Sequence, residues 1–323
     1  MSRSAKRIFI VAVALVAVLS VVFVALRGCT LMPWGNSGKG GASLSVSITR
    51  DFGKVIIKSK SVKARSGDSV MDVLKRAADV KTEYGGGFVS SIEGLRSSPG
   101  TAGGNDWFYF VNGVLAGIGA AEYEVEAGDH VWWDYHAWNR DNFIPAVVGS
   151  YPRPFTRGYS REDTTTRILY GANLENTARK IGAFLERHGA AVEYRGDLEE
   201  QSGTEAKGPV IAVCTTVEAA GKDWIRRLLD GSGRSGTFLT LDGEKIISLD
   251  SGGKTSDTGE ELVAAVAATG SGIGDPFPRW LVICAGEDGA SQAARLMVSE
   301  PEALKLKVGA AVGSSGAVYP LPR

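Results

Sequence analysis

The chain has 323 residues, 44% hydrophobic and 22% charged, so it can bury sizeable cores and is long enough for two domains. Lys plus Arg and Asp plus Glu both number 36, a balance that gives nucleic acid and other polyanions no footing. The 42 glycines favour tight turns over long helices, and the three cysteines form no Cys-x-x-Cys or Cys/His cluster, which excludes a zinc site of the usual kind.

Arg3, Lys6 and Arg7 precede an apolar run from Ile8 to Leu26 whose one polar member is Ser20. At about 1.5 Å per residue the run spans roughly 28 Å, enough to cross the hydrocarbon core of a membrane. Positive charge ahead of it predicts an N-terminus at the cytoplasmic membrane, with the remaining chain exported. Leu26-Arg27-Gly28-Cys29 resembles a bacterial lipobox, with Cys29 as the acylated residue, although Arg27 stands where a small residue is expected. Residues 1–28 are therefore either a lipoprotein signal, which explains the position of Cys29, or an uncleaved signal anchor, which explains the length. Both tether the chain. Residues 29–42, with four glycines, read as a flexible spacer.

From residue 43 to 138 the pattern is short strands around one helix. LSVSITR and KVIIKSKSVKAR flank Asp51-Phe52-Gly53 as a hairpin. Ser66-Gly67-Asp68 opens an amphipathic helix carrying Val70, Val73, Leu74 and Ala77 on one face, stopped by Gly85–Gly87. GFVSSIEGL, DWFYFVNG and HVWWDYHAW follow as strands, with Asn112-Gly113 as a two-residue turn and Asp129 shaping another. Two strands, a helix and further strands make a β-grasp order.

The segments Gly87–Gly94 and Trp107–Gly113, together with Tyr123, Ala127-Gly128-Asp129 and Trp133-x-Tyr135, resemble the transcobalamin C-terminal-like domain family. That family includes bacterial surface proteins of the domain-of-unknown-function 4430 type. The resemblance covers under a third of the chain and implies a β-grasp ligand-binding module, with cobalamin as one candidate ligand.

Alternation along the strands sorts their faces. The apolar sets Phe108/Phe110 and Val131/Trp133/Tyr135 are expected to cover the helix. That leaves Trp107, Tyr109, Trp132, Asp134, His136 and Trp138 on the open face, as ligand-contacting residues or as a surface packed on the second domain. Asp134 and His136 share a face but do not by themselves make a metal site, and His136 reads as a hydrogen-bonded surface histidine.

Residues 139–165, with Pro145, Pro152 and Pro154, read as an extended linker. Residues 166–323 alternate strands and helices, predicting a layered α/β domain with helices on both sheet faces. Helices are expected at 176–188, at AAGKDWIRRLL, at GEELVAAVAA and at ASQAARLMV; TFLTLDGEKIISLD is expected as a hairpin. GPVIAVC and RWLVIC read as buried strands ending in Cys214 and Cys284, which are inert thiols unless the strands are neighbours in register. The turns after them present N–H groups to an anion. His188 caps a helix.

No nucleophile, acid–base pair or cofactor motif is present, so no enzyme is expected. The expectation is a tethered extracytoplasmic protein that captures cobalamin or another small ligand for a membrane importer. The alternative is a structural or protein-interaction module of the envelope.

Overall fold

The computed structural model describes residues 42–98, 104–137, 143–162, 164–199 and 207–323. The apolar run, the lipobox with Cys29, and Trp138 lie outside the described residues. Among the described residues no helix is long and apolar enough to cross a membrane. Residues 42–323 form one compact unit, mixed α+β and rich in sheet.

Its first part holds β1 (Ser43–Arg50), β2 (Val55–Lys63), α1 (Val70–Ala77), β3 (Val80–Glu83), β4 (Phe88–Ile92), β5 (Leu95–Arg96), β6 (Asn105–Val111), β7 (Val114–Leu115) and β8 (His130–Ala137). The larger sheet of this part runs β2-β1-β8-β6-β7, with β1 and β8 parallel at its centre, while β3, β4 and β5 form a small separate sheet. Leu44, Val46 and Ile48 of β1 alternate into a core with Val70, Val73 and Leu74 of α1, the period-2 and period-3.6 patterns meeting face to face. Ser69 caps α1 through a reciprocal capping box with Asp72. The helix ends at Ala77 rather than at the glycines. Gly85 and Gly86, with φ of +71° and +98°, instead turn the chain between β3 and β4.

One strand is inverted relative to expectation. Antiparallel register pairs Trp107 with Tyr135 and Tyr109 with Trp133, which places Trp107 and Tyr109 in the α1 core and sends Phe108 and Phe110 to the other face. Hydrophobicity misleads here because the polar ends of the two larger rings find carbonyls inside: Trp107 Nε1 donates to Leu95 O at 3.1 Å and Tyr109 Oη to Ile118 O at 2.6 Å. On β8 the expected faces hold, with Val131 and Trp133 toward α1 and Trp132, Asp134 and His136 away from it.

The second part has β9 (Thr165–Tyr170), α2 (Glu175–Arg187), β10 (Ala191–Arg195), β11 (Val210–Thr215), α3 (Thr216–Gly221), α4 (Asp223–Asp230), β12 (Leu239–Asp242), β13 (Lys245–Ser248), β14 (Leu262–Thr269), β15 (Arg279–Cys284), α5 (Gly286–Ala294), β16 (Gly309–Gly313) and β17 (Val318–Leu321). The sheet runs β10-β9-β11-β15-β14-β13-β12, with β16 and β17 attached at β14. β10, β9, β11 and β15 are parallel and β14 onward antiparallel. Ile181 and Leu185 of α2 and Ala293 of α5 cover one face, and Ile225 and Leu229 of α4 cover the other, together with Phe52, Phe110 and Trp132 of the first part.

The expected helix at GEELVAAVAA is instead β14. All eight of its residues are buried, Ala264, Val266 and Ala268 toward α2 and α5, Ala265 and Ala267 toward α4. Strands on both sides and layers on both faces override the helix propensity of an alanine-rich run. The helix expected at 219–229 breaks at Lys222 into α3 and α4. β11 and β15 are neighbours, but Cys214 pairs with Ile283 and Cys284 with Thr215, so the two sulfurs project from opposite faces and cannot bond. Burial holds both thiols protonated, Cys284 pushed up to about 12.

Residues 143–151 are not an extended linker. Ile144, Ala146, Val147, Val148 and Tyr151 are buried. Their backbone bonds run to both flanks: Leu115 N to Pro145 O and Val147 N to Gly113 O on one side, Val148 N to Val308 O on the other. Proline-rich composition signals a chain that avoids regular structure, but it does not signal exposure.

Candidate functional site

β1 and β8 end side by side because they are parallel, with Thr49 opposite Asp134. The turn after β1 then folds back over the carboxylate. Asp134, 1% exposed, accepts from Phe52 N at 3.0 Å, Gly53 N at 2.9 Å, the Thr49 hydroxyl and His136 Nδ1 at 2.7 Å. These partners satisfy a carboxylate that burial has removed from water. Thr49 Oγ1 in turn accepts from Trp132 Nε1 at 2.7 Å.

With His136 Nδ1 facing the carboxylate, Nε2 is the remaining polar atom of the ring. The imidazole is clamped between two phenyl rings, Phe52 at 4.7 Å and Phe108 at 4.4 Å, both stacked. His136 is thus a buried, oriented histidine, 4% exposed, and not a surface one. It lines a recess with Phe108, Phe110, Ala116, Phe143 and Ile273, of about 640 Å³ counting space open to solvent. Apart from the imidazole the recess presents apolar side chains.

Of the six residues expected on the open face, His136 lines this recess, Asp134 is bonded to it, and Trp132, packed on Phe110, is fully buried. Trp107 and Tyr109 face away, into the α1 core. Trp138 is outside the described residues. The face as a whole is covered: Trp132 and Phe110 share a core with Phe238, Leu306 and Val308 of the second part. Sequence reasoning missed Thr49, Phe52, Phe108 and Phe110. Thr49 and Phe52 reach Asp134 through parallel pairing across 85 and 82 positions, which no local pattern announces.

Asp129 does more than shape its turn. Buried at 1% exposure, it accepts from Glu126 N at 2.8 Å, Asn112 Nδ2 at 3.0 Å, Arg157 Nε at 2.9 Å and an Arg161 nitrogen at 3.2 Å. Burial alone would raise its pKa, but these donors together hold it below the usual carboxylate range. Asn112 and Gly113 form the expected turn, with φ of +49° and +91°.

At the turn after Cys214, the N–H groups expected to meet an anion already have one. Glu218 takes Thr215 N at 2.9 Å, Thr215 Oγ1 at 3.0 Å and Ala172 N at 2.7 Å. A Cβ on Gly171 would fall 2.0 Å from the same carboxylate, so this crevice is filled by the chain itself. His188 Nδ1 lies 2.7 Å from Phe184 O, consistent with its place at a helix end. Among the described residues no group of three His, Cys, Asp or Glu side chains is placed to hold a metal ion.

Residues 67–137 match the family described as domain of unknown function (DUF4430). The match begins just ahead of α1 and ends with β8, so it includes Asp134 and His136 but not Thr49 or Phe52. No curated protein matches the chain. One similar solved structure is that of a "putative metal binding protein" from Ruminococcus gnavus ATCC 29149, 12% identical, covering 30% of this chain and 99% of its own, with a TM-score of 0.24. Neither description mentions cobalamin.

Proposed function

We propose that the chain is a membrane-tethered extracytoplasmic ligand-binding protein whose DUF4430 segment belongs to a β-grasp module, residues 43–138, and whose ligand enters the recess beside His136. The parallel β1–β8 pair under α1 supports the β-grasp reading. One observation carries the ligand reading: an apolar recess in which one aromatic-clamped imidazole is oriented by a four-donor carboxylate. Apolar walls with one fixed polar group suit a small, largely apolar molecule carrying one hydrogen-bonding atom. A corrinoid laid across the aromatic face is less well supported, because Trp132 is buried under the second part.

Titrating the full chain in detergent with cyclohexanol tests this by calorimetry. Binding that is lost in Ala116→Phe, which fills the recess, and weakened in His136→Phe is the expected result. Heat with cobalamin but none with cyclohexanol would restore the corrinoid reading. No heat with either would favour the alternative, an envelope interaction module, for which the burial of the aromatic face within the chain speaks.

A further inference from the structure

A second cleft lies at the other end of the large sheet, where β9, β11 and β15 begin. Val210 pairs with Arg167 on one side and with Arg279 on the other. Residues paired in this way share a sheet face, so both guanidiniums rise on the face that carries α4, their Cα atoms roughly 10 Å apart at two strand spacings. Leu169, two residues on from Arg167, forms the floor; Trp224 and Phe277 form aromatic walls, in a cleft of about 710 Å³ counting space open to solvent. The Trp224 indole is fixed in place by Nε1 donating to Leu198 O at 2.8 Å.

Among the described residues, the carboxylates at the cleft have partners of their own. Asp275 accepts from Ser271 N at 2.7 Å, Ser271 Oγ at 2.8 Å and Phe277 N at 3.0 Å, closing its own loop. Glu199 pairs with Lys222 at 2.5 Å. Arg167 is 8% exposed, and its pKa is lowered first by burial and then by Arg195 and Arg279, against the opposing pull of Glu193. Each arginine has other interactions as well, and a guanidinium has five donors to distribute.

We propose that this cleft binds a small carboxylic acid with an aromatic body, the carboxylate meeting Arg167 and Arg279 and the ring lying against Trp224 and Phe277. A planar carboxylate matches the guanidinium fork through paired, charge-assisted hydrogen bonds, and two forks set on one face by adjacent strands give it a defined seat. Flat apolar walls beside that seat select for a ring over a bare anion. Its lining residues differ from those of the recess at His136, although the 271–277 loop borders both.

The test is calorimetric titration of the full chain in detergent with 3-phenylpropionate and with its neutral isostere 3-phenylpropanamide. The acid is expected to bind, more weakly as salt is raised, and the amide about tenfold less tightly, as loss of a charge-assisted pair implies. Arg279→Gln is expected to weaken the acid by a similar factor, with Arg279→Lys intermediate. Equal binding of acid and amide, absence of acid binding, or undiminished binding in a folded Arg279→Gln variant would each overturn the proposal. The acid–amide comparison needs no variant and decides the matter even if Arg279→Gln fails to fold. Inorganic phosphate competing as well as the acid would equally overturn it, by showing a seat for charge alone.

Discussion

His130 sits between two hydroxyls, Nδ1 2.8 Å from Ser150 Oγ and Nε2 3.0 Å from Ser47 Oγ, and is 3% exposed. Burial, aided by Arg153 and Lys305, pulls its pKa down to about 3. An unfolded histidine titrates near 6.5, so between those values the unfolded chain binds a proton that the folded chain refuses. Its contribution is therefore fully present above about pH 6.5 and is lost as pH falls from there toward 3, at up to about 1.4 kcal/mol per pH unit. Denaturant midpoints between pH 7 and 5, compared for wild type and His130→Gln, should show a flatter slope in the variant. An identical slope would mean that His130 is not held neutral. Asp129, whose pKa is depressed instead, adds its own loss only below the ordinary carboxylate range.

The 143–151 segment is the element whose role is easiest to test. A Cβ on Gly149 would lie 2.7 Å from Lys307 N, 2.8 Å from Leu306 N and 2.8 Å from Trp132. Backbone cannot yield as a side chain tip can, so Gly149→Ala is expected to cost about 1–3 kcal/mol by urea denaturation. Gly221→Ala, with nothing within 4 Å of the added atom, should fall within about 0.5 kcal/mol of wild type. The segment also shows where sequence stops being informative. Alternation on β8 was legible because its two faces differ: Val131, Trp133 and Tyr135 against Asp134 and His136. On β6 both faces are aromatic, so Trp107 and Phe108 could not be sorted until register with β8 was known. β14 carried a helical composition, and only its neighbours make it a strand. At the candidate site Asp134 and His136 were visible as a pair on one face. Their burial and their partners from β1 depend on topology, which local pattern does not encode.

Across the whole molecule, Phe52, Phe110 and Trp132 of the first part share one core with Leu229, Phe238 and Leu306 of the second. A shared core and a segment bonded on both flanks couple the two parts, so a single calorimetric unfolding transition is expected for residues 42–323 within the full chain. Two resolved transitions would contradict this coupling. A fragment ending at residue 137 would leave those three rings facing water, a contiguous apolar surface of the sort that drives association. The DUF4430 segment is thus not a portable cassette in this chain. Its boundary in sequence cuts through a packed interior, and a copy moved to a new context would need the second sheet with it or new residues at Phe110 and Trp132. The strap at 143–151 is bonded to both parts, so whatever moves or melts one sheet reaches the other.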